Sequence, residues 1–524
     1  MTEFELVASL LKLHGKGKSI KEQLEGVMFL LENAYCLLAD EVGLGKTKQV
    51  IDTSQIRFMR QELDTALVLT PGFARSTWAE EDPELGEVAK FAWDSVPNVI
   101  HEFHKGYTNI EWAPNALNWV VSNYEFVRRE DRLMQLFDTL RGRKTWLILD
   151  ESWAIKGFSD QMKACRALRN RRALYVTELN GTPLSDGKPI DLYYPMLILS
   201  PDIIGAQNRT HFKSKYCIMD ARYPNKVIRY QNLDDLNARI APYVLSRRTR
   251  DCWDLPPMLD PIIIEARMTD PTWKIYKEMR DEMVSFVGSS VSTAQQAIVK
   301  ALRLSQITSG FLGGLEAINS APVTVSTQPM PAWLAKLYPD SNPPDSGASV
   351  GGSLRAGSDG EDVDDVPSAE PSYVTKEIGR EKLDALLEFL GSRTIPNKII
   401  TWCRFTPELE RATKEFKTIF PEVFNLRGGQ SKEDRRKAKA FLAPGADTRR
   451  GVCVGNQGAG GASLNFAGAP WAIYLSNGPE LIKRTQSIGR IERPGATEPM
   501  QIIDVVATGP KGQRTIDHVT LRAL

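Results

Sequence analysis

Histidine and paired cysteine are what this chain has least of. Its 524 residues include 5 histidines and 6 cysteines. Cys36, Cys165, Cys217, Cys252, Cys403 and Cys453 lie far apart and form no CxxC pair. That argues against a zinc knuckle or a dense disulfide framework and leaves reduced thiols as the expectation. His101 and His104 are the one close histidine pair, and no further ligands stand near them in the sequence to complete a metal site. No apolar run approaches the roughly 20 residues that cross a bilayer. The opening Met-Thr-Glu-Phe-Glu is acidic where a secretory signal is basic, and Lys12 interrupts the apolar stretch behind it. A soluble cytoplasmic protein without a membrane partner is expected. Excess charge is missing too: 66 Lys and Arg against 65 Asp and Glu leave a net +1. A nucleic-acid partner would therefore need the cations gathered in one groove. There is no internal sequence repeat.

What is present is a long series of short apolar runs, each ending in polar or glycine-bearing residues. "AYCLLAD", "TALVLTPG", "NWVVSNYE", "TWLILDES" and "ALYVTELNGTP" occupy the first part, and "NKIITWCRF", "VFNLRGG", "GVCVGNQGAGG", "WAIYLSNG" and "MQIIDVVATG" the last. Unalternated Val/Ile/Leu runs suit strands buried on both faces, as in parallel sheets. Helical stretches separate them. "EKLDALLEFLG" puts Leu383, Leu386, Leu387 and Leu390 on one face, and "SKEDRRKAKAFL" opens with Ser431 and Asp434 in capping-box order. The expected fold is α/β in two lobes. The boundaries read from the sequence are 1–200 for the first lobe, 201–258 and 259–319 for two largely helical protrusions, and 374–524 for the second lobe. Residues 320–373, rich in Ser, Pro, Gly and Asp, read as a disordered, flexible acidic insertion with little to bury.

The chemistry concentrates at "LLADEVGLGKTKQV". A strand ending near Leu38 delivers the chain to a loop in which Gly43 and Gly45 let the backbone N–H groups of Gly43, Leu44 and Gly45 approach phosphate oxygens. A helix starting near Lys46 would aim its N-terminal dipole at the same place. Lys46 would reach the outer phosphates of a nucleoside triphosphate, and the Thr47 hydroxyl would hold Mg²⁺. One departure from the general P-loop spacing is Asp40, where a glycine is usual. "TWLILDES" supplies Asp150 as a second Mg²⁺ ligand and Glu151 to polarise an attacking water. Far along the chain, "QSIGRIERPG" holds Arg490 and Arg493 three apart, on one face if helical, where guanidinium groups could meet a transferring phosphoryl group.

The ordered set resembles the Swi/Snf-related ATPases of helicase superfamily 2. "KEQLEGVMFLLENAYCLLADEVGLGKT" is similar to the family's Q motif and motif I, "LVLTPGFARSTWAEE" to motif Ia and "VVSNYEFVRRE" to motif Ib. "LILDESWAIKG" is similar to motif II and "LNGTPLSDGKPIDLYY" to motif III. "PYVLSRRTRDCWDLPPM" resembles a stretch typical of this family, and "KIITWCRFTPELE", "NQGAGGASLNF" and "QSIGRIERPG" resemble motifs IV, V and VI. The resemblance implies two RecA-like lobes with ATP in the cleft between them. It implies Gln23 at the adenine, Gly460 and Gln486 beside the nucleotide, and Gly181, Thr182 and Pro183 coupling the γ-phosphate to the DNA side. It also implies duplex DNA across both lobes, with Thr70, Pro71, Gly72 and, more weakly, Asn123 and Tyr124 along one strand, and Arg247, Arg248 and Arg250 adding phosphate contacts.

The departures are specific. Trp153 replaces the usual His of motif II and Glu492 the usual His of motif VI. Glu22 stands where an aromatic precedes the Q-motif glutamine, and Gln457 where motif V often has Thr. No chromodomain-, bromodomain- or SANT-like stretch accompanies the motifs, which weighs against nucleosome remodelling. The compact plan resembles bacterial or phage members linked to replication, repair or recombination. The expectation is therefore a monomeric, ATP- and Mg²⁺-dependent translocase on duplex DNA of low sequence specificity, with 320–373 as a tether for a protein partner. A strand-separating DNA or RNA helicase and an ATP-controlled DNA clamp are the rival readings.

Overall fold

The computed structural model describes residues 2–17, 20–181, 188–206, 208–223, 226–289, 294–316, 373–445, 448–457 and 465–524. Two parallel sheets organise it. The first is built from β1 (Tyr35–Leu38), β2 (Thr65–Thr70), β3 (Asn98–Glu102), β4 (Leu117–Asn123), β5 (Thr145–Asp150) and β6 (Ala173–Leu179). A separate antiparallel hairpin follows, β7 (Cys217–Met219) and β8 (Val227–Tyr230), and then β9 (Val244–Leu245) returns to the first sheet. The order is β3-β4-β2-β5-β6-β1-β9, with every pairing parallel.

The second sheet begins with β10 (Ile262–Arg267). Two strands, β11 (Phe311–Glu316) and β12 (Tyr373–Glu377), pair antiparallel on either side of 317–372. The sheet then adds β13 (Lys398–Cys403), β14 (Glu422–Leu426), β15 (Gly451–Asn456), β16 (Trp471–Tyr474) and β17 (Gln501–Thr508), in the order β10-β17-β16-β13-β15-β14, again all parallel. The α/β reading with two parallel sheets therefore holds.

The apolar runs become strands because both faces of each sheet are covered. β2, β5 and β13 are buried at every position, and so is β17. Each sheet carries one apolar cluster per face, with Leu67, Leu147 and Val176 on one side of the first sheet and Val68, Trp119 and Ile148 on the other. In the second, Ile399 and Val454 face one cluster and Ile400 and Cys453 the other. The Glu381–Gly391 helix buries Leu383, Leu386 and Leu390 against the second sheet, with Leu387 partly covered. Ser431 caps the Lys432–Leu442 helix by accepting the Asp434 N–H at 3.1 Å.

Three features of the chain's middle differ from the helical reading. The segment 201–258 carries the hairpin β7–β8 between the helices Arg209–Tyr216 and Leu233–Ile240, and its β9 belongs to the first sheet beside β1. The segment 259–319 donates β10 to the edge of the second sheet beside β17. Strands of two to six residues present too few positions for a period to stand out in sequence. The insertion 320–373 lies outside the described residues up to Tyr373, which opens β12.

Candidate nucleotide-binding cleft

At the C-terminal end of β1 the chain turns through Gly43 (φ 103°) and Gly45 (φ 77°), conformations that a side chain would strain. The Lys46–Met59 helix starts directly after Gly45, which offers no side-chain cap, so the first N–H groups of the helix are left for a ligand. Lys46 Nζ donates to the carbonyls of Asp40 (2.6 Å) and Glu41 (3.2 Å), and Thr47 follows it in the first turn. Burial lowers the Lys46 pKa, while Glu151, Asp40 and Asp150 hold it up. Leu44 is fully buried, and its carbonyl accepts from Gln23 (3.4 Å) and Gln49 (3.0 Å). Gln23 lies so close that a Cβ at Gly45 would stand 2.5 Å from its Nε2. Its Oε1 is buried with no hydrogen-bond partner among the described residues.

The carboxylate pair stands at the end of β5. Asp150 Oδ2 accepts from Trp78 Nε1 (2.8 Å) and Thr70 Oγ1 (3.4 Å), and Oδ1 accepts the Glu151 N–H (3.0 Å). Burial raises the Asp150 pKa, with Trp78 and Lys46 opposing. Glu151 sits in the left-handed region at φ 51°, a conformation that non-glycine residues seldom hold. Its Oε2 accepts from Trp153 Nε1 at 2.7 Å and from Gln486 Nε2 at 3.0 Å. Burial, then the neighbouring Asp150 charge, pushes its carboxyl up to about 7.

Gln486 belongs to the second lobe, on the Leu481–Ile488 helix. The helix stops there, so Arg490 and Arg493 stand in the turns beyond it and not on a shared helical face. Gly489 and Pro494 break the helical run at this point. Both arginines nevertheless enter the cleft. A Cβ at Gly43 would lie 3.4 Å from Arg493 Cγ, and one at Gly489 would lie 3.2 Å from Val42 Cβ. Arg493 Nε donates to the Gly489 carbonyl at 2.9 Å. Burial and the adjacent Arg493 charge push Arg490 down to about 9, with Glu151 opposing, and burial pushes Arg493 down to about 10. Gly181 closes the first lobe's side of the cleft, where an added Cβ would stand 3.4 Å from Lys46 Nζ.

The lobes also meet through charge. From the Lys432–Leu442 helix, Lys432 pairs with Glu80 at 2.9 Å, and Arg436 pairs with Asp82 and reaches Glu84 at 3.7 Å. Glu492 pairs with Arg250 of the segment after β9, so the departure in motif VI makes a contact between lobes.

Several residues expected at a DNA strand are taken up inside the protein. Thr70 is fully buried and bonded to Asp150. Tyr124, also buried, donates its hydroxyl to the Asp150 carbonyl at 2.7 Å. Arg247 grips Asp40, with Nε donating to Oδ1 at 3.0 Å and Nη2 to Oδ2, and its Nη1 donates to the Glu22 carbonyl. Asp40, the P-loop departure, is thus the buried partner of an arginine. Arg250 is engaged by Glu492. Pro71 is buried, whereas Gly72 and Arg248 are exposed. Asn123 caps the short helix Tyr124–Val127 through the Phe126 N–H at 3.1 Å and lies beside Gly72. Thr182, Pro183 and Gly460 lie outside the described residues. Trp78 was not singled out in the sequence, because an isolated tryptophan in a five-residue helix carries no spacing signal.

The family pattern of the SNF2-related domain matches residues 13–313. Among curated relatives, the chain is 21% identical over 520 residues to human "SWI/SNF-related matrix-associated actin-dependent regulator of chromatin subfamily A member 1", covering 97% of this chain and 43% of that protein. It is 26% identical over 257 residues to human "DNA annealing helicase and endonuclease ZRANB3", covering 46% and 22%. It is 26% identical over 286 residues to "Chromatin remodeling factor mit1" of Schizosaccharomyces pombe, covering 52% and 18%. The chain spans less than half the length of each of these relatives. Among solved structures, "Sulfolobus solfataricus SWI2/SNF2 ATPase core in complex with dsDNA" aligns with a TM-score of 0.40 at 20% identity, covering 94% of this chain and 89% of that one. With the family pattern matching more than half of its residues, the chain belongs to the SNF2-related domain family, the Swi/Snf-related ATPases of helicase superfamily 2.

Proposed function

We propose that this protein hydrolyses ATP in the cleft between its two lobes and uses the cycle to move along duplex DNA, in replication, repair or recombination. The observation that carries the reading is the meeting of the P-loop lysine, the Asp150–Glu151 pair and the two motif VI arginines within one buried seam. The DNA side rests on family membership and on the name of ZRANB3, a DNA annealing helicase.

In this reading the N–H groups of Gly43 to Gly45 and the start of the Lys46–Met59 helix hold the phosphates. Lys46 exchanges the Asp40 and Glu41 carbonyls for phosphate oxygens. The unsatisfied Oε1 of Gln23 accepts the adenine amino group, and Gly460 adds a backbone contact. Glu151, with its carboxyl raised toward neutrality, takes the proton of the attacking water while Gln486 and Trp153 hold its other oxygen. Arg490 and Arg493 stabilise the charge that develops on the transferring group. Thr47 and Asp150 offer hard oxygen donors, a pair that suits Mg²⁺ because that ion keeps several waters and takes the rest of its ligands from phosphates. Asp150 retains lone pairs beyond its three protein hydrogen bonds, so the residues fit. When bound, Mg²⁺ supplies positive charge at the β and γ phosphates.

Gly181, Thr182 and Pro183 relay the state of the phosphates to the DNA side, where Gly72, Asn123 and Arg248 are the accessible candidates for one strand's phosphates. Side-by-side ATPase assays with duplex DNA, single-stranded DNA and RNA test the substrate class. Stimulation by duplex is expected, together with displacement of a third strand from a triplex. Equal turnover with and without any nucleic acid, or displacement without ATP, removes the translocase reading.

A further inference from the structure

The hairpin β7–β8 is a two-stranded sheet joined to neither larger sheet. Its base is tied to the Arg209–Tyr216 helix. The Gln231 N–H donates to the Tyr216 carbonyl at 2.9 Å, and Asn232 Nδ2 donates to the Lys215 carbonyl at 2.7 Å. Phe212 and Tyr216 of that helix are buried in the first lobe's core, so the hairpin stands on a rigid base. Hydrogen bonds also hold the described residues that follow β7 and precede β8. Asp220 Oδ1 accepts the N–H groups of Arg222 (2.8 Å) and Tyr223 (3.2 Å), and the Lys226 N–H donates to the Tyr223 carbonyl at 2.8 Å.

What this scaffold displays is unusual for a chain of net charge +1. Arg209, Lys213, Lys215, Arg222, Lys226 and Arg229 run through it against the single acid Asp220. Lys215 is paired with Asp235, but Arg222, Lys226 and Arg229 are exposed and make no ion pair among the described residues. Beside them Tyr223 is 65% and Ile228 59% exposed. Cations alone would suit any polyanion. Cations around an exposed aromatic suit one whose bases present open faces, because stacking on Tyr or Phe needs an unpaired base and a duplex interior offers none. An acidic peptide would satisfy the charges and leave Tyr223 unused.

We propose that the β7–β8 hairpin is a second nucleic-acid site, which binds single-stranded DNA through phosphate contacts from Arg222, Lys226 and Arg229 and a base stacked on Tyr223. None of these residues is among those assigned above to the cleft or to the duplex contacts.

The test uses the full chain and a fluorescent 20-mer of thymidine, with affinity followed by anisotropy across a salt series. Triple substitution Arg222→Gln, Lys226→Gln, Arg229→Gln lowers the salt slope by about 2, since each single-strand phosphate contact contributes about 0.7. Tyr223→Ala weakens binding about tenfold and leaves the slope unchanged. Both variants keep the wild-type turnover without nucleic acid and the wild-type stimulation by duplex. Wild type that does not bind the 20-mer, or variants that bind it as wild type does, overturns the site. A loss of duplex affinity with single-strand affinity intact also overturns it, by making the hairpin a duplex contact. Failure of the translocase reading shows separately, as a wild type whose turnover ignores duplex while the hairpin variants still lose the 20-mer.

Discussion

Gln486 Nε2 lies 3.0 Å from Glu151 Oε2, a hydrogen bond from the second lobe to the proposed base of the first. Trp153 donates to the same oxygen from within the first lobe. One carboxylate oxygen is thus held from both sides of the cleft, and in the proposed function the other takes the proton of the attacking water. Trp153, which takes the place of a family histidine, keeps a ring N–H directed at its neighbour.

Removing either donor separates positioning from binding. Trp153→Phe keeps the ring and deletes the N–H, and kcat should fall about tenfold, the weight of one charge-assisted hydrogen bond, with KM for ATP little changed. Gln486→Ala should behave alike. The double variant should fall short of the product of the two, because both act on one oxygen. Steady-state ATPase kinetics check all three.

In the proposed function Arg493 and Lys46 act on the same triphosphate from opposite walls of the cleft. Lys46→Ala should abolish turnover by removing charge at the outer phosphates. Arg493→Ala should spare ATP binding and slow hydrolysis by roughly 10³-fold. Equilibrium binding of a fluorescent ATP analogue, measured beside single-turnover hydrolysis, distinguishes the two defects.

The Arg247–Asp40 pair makes a stability prediction where the sequence suggested a DNA contact. Asp40 is fully buried and the Arg247 side chain is 14% exposed. Asp40→Ala removes the buried carboxylate that Arg247 grips, leaving it the longer contact to Glu25 at 3.4 Å, and should destabilise the fold by about 3 kcal/mol. Replacing both partners, Asp40→Leu with Arg247→Met, should recover most of that loss. Urea unfolding measures the series, and the salt slope of duplex binding by Arg247→Ala should match that of wild type.

Glu178, on β6, gives a pH dependence. Both its oxygens are buried without a hydrogen-bond partner among the described residues, and burial pushes its carboxyl up to about 8, the nearby Ser152 offsetting part of this. Unfolded, the same carboxyl titrates near 4.3, roughly the ordinary value for Glu. Between those two values the folded chain keeps a proton that the unfolded chain has released, so this group's contribution is full below about pH 4.3 and is lost as pH rises toward 8. Glu178→Gln removes that slope. Thermal unfolding at pH 5 and pH 8 should show the variant gaining on wild type at the higher pH.

Much of what depends on neighbours along the chain was legible from the residues alone. Unalternated apolar runs specified strands covered on both faces. Gly43, Gly45 and Lys46 at a strand end specified a phosphate loop, and Asp150–Glu151 at the end of another strand specified an acidic pair on the same side. Motif order made the family legible. Tertiary structure decided which side chains face a ligand and which are consumed by the protein. Arg247, 207 positions from Asp40, closes an internal ion pair. Trp78 reaches Asp150 across 72 positions, and Gln486 reaches Glu151 across 335. Thr70 turns its hydroxyl inward to Asp150, and the exposed cations of the hairpin are left outside. The reason is geometric: periodicity and turn chemistry act over a few residues, whereas a buried polar atom is satisfied by whichever donor the packing of distant strands brings within about 3 Å.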